Sequence, residues 1–328
     1  MVKASVLITT YNLEKYIERT LYSVINQVTD FNFEILIGDD GSTDETIAII
    51  TKVQQKTSVP FRIYKMERET GKSYNPIYRA SRNRVNLISH ARGEYITFLD
   101  GDDFYIDRGF LQKQVNILDN PMYQLCVGCS CGLMNYYEKT NEFIISKSSV
   151  LDEGIINSRK YWGSKKWFHA ECCLFRNLFR NSGFHMSKDY FDDNLIVFYF
   201  MKHGEIYHIN NAMVAYRQNL TVWKNRSKLS KNLYNVMDYY EELRINPKWH
   251  WYSFWRHNDQ FWFLWTEKDK LKRLLYIEEK EISENRKCVF VNQLFHYDEL
   301  SIISKMRCAL FAWGCKCIRK IKILSVTY

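Results

Sequence analysis

Proline and glycine are scarce in this chain, at four and thirteen of 328 residues. That scarcity excludes collagen-like and proline-rich low-complexity classes. A hydrophobic content of 46% with 16% aromatics excludes a disordered chain. No apolar run reaches the roughly 18 residues that a membrane-spanning helix needs. The amino terminus, Met1-Val2-Lys3-Ala4, passes straight into a strand-like segment without the pattern of a signal peptide. The expectation is therefore a cytoplasmic protein, at the inner face of a membrane if it binds one, whose nine cysteines are reduced thiols. Cys126, Cys129, Cys131, Cys172, Cys173, Cys315 and Cys317 lack the paired spacing of a structural zinc site. There is no Gly-x-Gly-x-x-Gly and no Walker lysine loop, which excludes the dinucleotide and P-loop readings.

Acidic residues also run out. None follows Glu299, whereas Lys305, Arg307, Lys316, Arg319, Lys320 and Lys322 do, and they carry much of the formal charge of +9. Leu310, Phe311, Trp313, Ile318, Ile321 and Leu324 are interleaved with them. Such a basic amphipathic stretch suits contact with an anionic membrane surface through 300–328, or a helix packed on the body with a solvated basic face. No nucleic-acid module pattern is visible, so nucleic acid is not an expected partner. The upstream aromatics Trp249, Trp251, Phe254, Trp255, Phe261, Trp262, Phe263 and Trp265 read as the core or an interface of a helical bundle.

What the chain does have is a set of apolar runs ending in carboxylates. Gly93 to Leu99 reads as a strand covered on both faces, and it opens into Asp100-Gly101-Asp102-Asp103. Ligands of open α/β sheets bind beyond the carboxyl ends of the strands. If the chain stays extended there, Asp100 and Asp102 share one side and Asp103 takes the other. Close like charges ask for a cation, and an all-oxygen neighbourhood suits Mn²⁺ or Mg²⁺ rather than zinc.

The same logic recurs upstream. Ala4 to Thr10 reads as a first strand leading to Tyr11-Asn12, and Ile17, Leu21, Val24 and Ile25 mark a helix face. Phe33 to Gly38 is a second strand, running into Asp39-Asp40. Ser42 and Glu45 have the spacing of a capping box, predicting a helix from there through Ile47, Ile50 and Val53. Phe61 to Met66 is a third strand. Ile77, Ala80, Leu87, Ile88 and Ala91 mark a helix over about 73–92. Strand and helix thus alternate up to Asp103, the signature of a parallel sheet with crossover helices. Three strand ends converge: Thr9 to Tyr11, Asp39-Asp40, and Asp100 to Asp102. They offer a nucleotide an aromatic side chain, hydrogen-bond acceptors and a metal for its phosphates.

Beyond Asp103 the alternation stops. One helix through Leu111, Val115 and Leu118 precedes strand-like pieces at Leu125–Cys129, Phe143–Ser146, Glu171–Phe175, Glu205–Ile209 and Met213–Arg217. Asp192-Asp193 opens a strongly apolar helix, where the helix dipole favours acids. One of the pair is a cap or a general base accepting a proton from an incoming hydroxyl. His169 and Glu171 precede a strand as candidate acceptor-binding residues.

With Thr9 to Asn12, Asp39 to Asp44, Ser81-Arg82-Asn83, Gly93 to Asp103 and Asp192-Asp193 in hand, residues 4 to 225 resemble the family 2 glycosyltransferases. The resemblance implies an α/β fold of the GT-A, Rossmann-like type, a mostly parallel sheet flanked by helices. A GT-A domain would span 1–225, with a nucleotide-sugar half to about 105 and an acceptor half from 106. A helical extension would span 226–328. It implies an inverting, metal-dependent transfer of a hexosyl or N-acetylhexosaminyl group from a nucleoside-diphosphate sugar, a UDP-sugar for preference. The acceptor would be a hydroxyl of a glycan, including a lipid-linked one, in surface polysaccharide synthesis. Carried over, Thr9 and Tyr11 border the base, Asp39 meets it with Asp40 close by, and Arg82 is on the donor side. Asp100 lies near the ribose, Asp102 holds Mn²⁺ or Mg²⁺, and Asp193 is the general base. Trp223 falls where relatives often carry Trp, whereas Asn219 replaces a frequent His. The alternatives are a nucleotidyltransferase, for which Thr9 to Glu14 offers no basic triphosphate loop, and a sugar- or nucleotide-binding module without catalysis.

Overall fold

Apolar runs flanked by turns fold as read, and their register builds one edge. In a computed structural model, β1 (Ala4–Thr10), β2 (Phe33–Asp39) and β4 (Tyr95–Asp100) are parallel neighbours with β3 (Phe61–Lys65) outside β2. The structure describes residues 2–68, 76–147, 151–158, 161, 168–183, 190–218, 227–271 and 289–324. Pairing of Thr10 with Asp39 and of Thr9 with Asp100 brings the three carboxyl ends level. Adjacent strands lie about 4.8 Å apart, so these side chains share one small surface.

The sheet order is β3-β2-β1-β4-β9-β6-β10-β5. Beyond β4 it turns mixed. β9 (Cys173–Arg176) runs antiparallel to both β4 and β6 (Cys126–Tyr137), β10 (Glu205–Arg217) is parallel to β6, and β5 (Phe104–Tyr105) closes the edge antiparallel to β10. The two pieces expected at 205–209 and 213–217 are one strand, joined through register shifts between Ile209 and Val214. Two short strands, β7 (Glu142–Ile145) and β8 (Gly154–Ile156), hang off β6 and β10.

Helices α1 (Ile17–Ile25), α2 (Thr46–Gln54), α3 (Pro76–His90) and α4 (Phe110–Asp119) cover the sheet. The apolar core runs from Val6, Ile8 and Ile35 to Leu111, Val115 and Leu174. The capping box at Ser42 and Glu45 does not form. The Asp39 carboxylate takes the Ser42 hydroxyl and the amides of Gly41 and Ser42, so the chain stays in a turn and α2 starts at Thr46. Gly38 is required by α3: Asn83 donates 2.7 Å to the Gly38 carbonyl, and a Cβ at 38 would stand 1.8 Å from Asn83 Oδ1. His90 is exposed at the end of α3, against Tyr64.

The chain divides into two compact units, Met1–Asn219 and Leu220–Tyr328. In the second, α6 (Lys228–Ile245), α7 (His250–Thr266) and α8 (Ile302–Leu324) carry the aromatic segment, and α5 (Asp193–His203) belongs to the first. Phe261 and Phe290 are buried against Phe311, while Trp251 and Trp255 are exposed. A buried polar knot sits between α6 and α7: Glu242, fully enclosed, lies 3.2 Å from His257 Nε2 and 3.5 Å from Arg256.

Candidate active site

The residues at the level strand ends are built into a charged surface by three helices and a turn. At the end of β4 the backbone does not stay extended. The Asp103 amide donates 3.0 Å back to the Asp100 carbonyl, closing a turn that separates the three aspartates. Asp100 accepts the Thr9 hydroxyl at 2.7 Å. Asp102 stays half-buried, with only its own backbone amide on its carboxylate among the described residues. Burial, and then the charge of Asp100, push its pKa up to about 6. Asp103 is buried instead. It accepts the Arg217 amide at 2.6 Å and faces Glu171, also buried. Burial first holds both of these carboxyls well above the usual range, reinforced at Asp103 by the charge of Asp102 and at Glu171 by that of Asp103.

Helix α5 brings the second set of acids. The Asp192 side chain accepts the Leu195 amide at 3.0 Å and is the helix cap. Asp193, one residue on, points away from that duty and pairs at 2.8 Å with Arg84, which also reaches Asp100 at 3.3 Å. A single buried guanidinium from α3 thus ties the end of β4 to the start of α5. The Ser81 hydroxyl, one turn earlier, accepts the Phe191 amide at 2.9 Å and fixes the same approach.

Asp40 sits inside a second cationic clasp, held by Arg68 and by Arg79. The Arg68 guanidinium also lies 3.8 Å over the ring of Tyr11, which is exposed. Asp39 has both carboxylate oxygens bonded within the Gly41–Ser42 turn. On the far side His169 stands 3.8 Å from Glu171 and 5.1 Å from the ring of Tyr216.

Asp100, with Thr9 bonded to it, Asp193 and Glu171 therefore come together around Arg84, and Asp102 lies beside Asp100 and Arg217. Arg82 is exposed on α3. Two residues along a helix turn the side chain by about 200°, so burying Arg84 turns Arg82 outward. Asn219 and Trp223 lie outside the described residues. The sequence reading missed Arg84 and Arg217. Arg217 is fully buried and donates to the Asp102 carbonyl at 2.8 Å and to Glu138 at 2.7 Å. A signal for Arg84 existed: it falls within the apolar face marked by Ile77, Ala80 and Ile88, where an arginine must find a buried carboxylate partner.

Among the described residues, Asp100, Asp102, Asp103, Glu171 and Asp193 gather beside two buried cations, Arg84 and Arg217. That surplus attracts a cation. No three carboxylate, His or Cys side chains among the described residues are set to chelate one ion. The donor set fits Mn²⁺ or Mg²⁺ held by one or two carboxylates, with phosphate oxygens completing the shell.

Residues 5–184 match the family described as glycosyl transferase family 2. The chain belongs to that family. As a family 2 glycosyltransferase it is 34% identical over 122 residues to the poly(ribitol-phosphate) beta-N-acetylglucosaminyltransferase TarS of Staphylococcus aureus, covering 36% of this chain and 19% of that one. It is 33% identical over 115 residues to an uncharacterized glycosyltransferase of Haemophilus influenzae, covering 35% and 41%. The chain thus spans less than half of the curated relatives it matches. Its GT-A fold is shared with S. aureus TarS 1-349 in complex with UDP-GlcNAc, at a TM-score of 0.60 and 17% identity over 90% of this chain and 82% of that one. A mannosyltransferase from Pyrobaculum calidifontis, in complex with GDP-Man and Mn²⁺, has a TM-score of 0.50 at 14% identity, over 96% and 86%.

Proposed function

We propose that this chain transfers a sugar from a nucleoside-diphosphate donor, a UDP-sugar of the N-acetylhexosamine type for preference, to a hydroxyl of a glycan, with inversion. The observation that carries the proposal is the Arg84 bridge, which sets the donor-side Asp100 and the candidate base Asp193 against one guanidinium. Support for the donor comes from TarS, a relative named as an N-acetylglucosaminyltransferase and a fold neighbour bound to UDP-GlcNAc.

The roles follow from position. Asp100 takes the ribose side, Thr9, Tyr11 and the Asp39–Asp40 turn border the base, and Arg68 and Arg79 hold Asp40 in place. Asp102, with Asp100 beside it, would hold Mn²⁺ or Mg²⁺. Bound there, the ion supplies Lewis-acid neutralisation of the charge on a leaving diphosphate. Asp193 removes the proton of the acceptor hydroxyl as its oxygen bonds to the anomeric carbon, while the bond from that carbon to the diphosphate oxygen breaks. Attack from the face opposite the leaving group inverts the configuration. Asp192, tied down as the α5 cap, orients Asp193. His169 and Glu171 border the acceptor side. The acceptor is a glycan of a surface polysaccharide, including one carried on lipid at the inner face of a membrane.

The test is release of nucleoside diphosphate from a panel of UDP-, GDP- and dTDP-sugars with Mn²⁺. Ion-dependent release from one sugar nucleotide supports the reading. Pyrophosphate release from a nucleoside triphosphate plus a sugar phosphate would establish a nucleotidyltransferase instead, and binding without turnover a non-catalytic module.

A further inference from the structure

Helix α8 is apolar on two faces. Cys308, Ala312 and Cys315 are buried, and Phe311 packs 5.0 Å from Phe290 and 5.2 Å from Phe261. A second set, Ile303, Met306, Leu310 and Trp313, recurs at spacings of three and four and is 60–66% exposed. At 3.6 residues per turn these four share a stripe on the opposite side of the helix. A continuous exposed stripe of large apolar side chains, unlike scattered ones, marks a surface that is covered in use.

The charges around the stripe choose its cover. Lys305 and Lys316 project to one flank by helical position and Arg307 to the other. Lys316 Nζ lies 5.0 Å over the Trp262 ring, and Lys305 Nζ lies 5.7 Å from the Tyr297 ring, so both are held at the helix. Arg319, Lys320 and Lys322 follow in sequence, with no acid after Glu299. Trp251 and Trp255, exposed on α7, add indoles on the neighbouring helix, which meets α8 through Phe254 and Phe311. Indoles beside lysine and arginine around an apolar strip match the headgroup level of a bilayer. A second copy of the chain seated on this stripe would set the same cations against themselves. No helix among the described residues is long and apolar enough to cross a membrane, so α8 would lie in the plane of the surface.

We infer that α8 is an in-plane membrane anchor, its Ile303–Met306–Leu310–Trp313 stripe buried at the headgroup boundary of an anionic bilayer and its basic flanks on anionic headgroups. This is independent of the sugar donor and acceptor, and it requires no turnover to be observed.

The test is co-sedimentation of the full chain with vesicles of phosphatidylcholine alone and of phosphatidylcholine with phosphatidylglycerol. Binding to the anionic vesicles and release by salt are expected. The combined variant Ile303→Ser, Leu310→Ser and Trp313→Ser should lose the binding while keeping the parent's thermal melt, since all three side chains are exposed. Lys305→Gln, Arg307→Gln and Lys316→Gln together should weaken it on the order of 100-fold, from about 1 kcal/mol for each basic residue near the surface. Equal sedimentation with both vesicle types, or unchanged binding by the serine variant, overturns the inference. So does a dimer of the parent, without vesicles, that the serine variant makes monomeric.

Discussion

The Arg84 guanidinium stands 2.8 Å from the Asp193 carboxylate and, through the same nitrogen, 3.3 Å from that of Asp100. Its side chain is only 8% exposed, and it joins α3, α5 and the end of β4 through carboxylates that are 36% and 39% exposed. Replacing it by glutamine leaves two facing acids without their cation. Arg84→Gln is expected to destabilise the first unit by about 1–2 kcal/mol, less than a fully buried pair because both carboxylates reach solvent. Turnover should fall with it, and in a double-mutant cycle Arg84→Gln and Asp193→Asn should couple by about 1–3 kcal/mol in turnover. Additive effects would mean that Arg84 serves the fold alone.

Asp193→Asn should leave donor affinity nearly intact and lower turnover by about 10² to 10⁴, the usual contribution of a general base. Asp192→Asn should cost far less, because asparagine also caps a helix. Single-turnover rates with a saturating donor separate the two. Equal losses would mean that the cap and the base are not divided between these neighbours.

The buried Glu242 sets an acid limit on the helical unit. Burial alone would raise its pKa, but His257 and then Arg256 outweigh it and hold the carboxyl below its ordinary value of 4.5. A depressed folded value means that stability is fully present above the unfolded pKa and is lost as pH falls through the folded one. Denaturant unfolding of the parent should therefore show stability climbing with pH toward about 4.5, where the contribution of Glu242 is complete. Glu242→Gln should flatten that climb and lower the plateau by about 3 kcal/mol. An unchanged slope would place the acid sensitivity elsewhere.

The strand ends were legible because buried parallel strands are nearly continuous apolar runs, and carboxylates at their ends stand out. The Thr10–Asp39 and Thr9–Asp100 register brings those ends level. The path after Asp100 was not legible. Whether Gly101 stays extended or turns depends on the Asp103 amide finding the Asp100 carbonyl, and on Arg217 arriving from residue 217 to receive Asp103. The Ser42–Glu45 cap failed for a similar reason: Asp39, three residues earlier, competes for the same hydroxyl. Long-range arginines were the general blind spot. Arg68, Arg79, Arg84 and Arg217 each find an aspartate or its backbone from another element, and periodicity does not name such partners.

Calorimetric titration of UDP-GlcNAc into the chain, with and without Mn²⁺, and again for Asp102→Asn, tests the central claim most directly. The account predicts tight binding by the parent only with the ion, and in the variant a weak binding that the ion no longer improves. Equal affinity with and without Mn²⁺ in the parent, or an undiminished effect of the ion in Asp102→Asn, would contradict it.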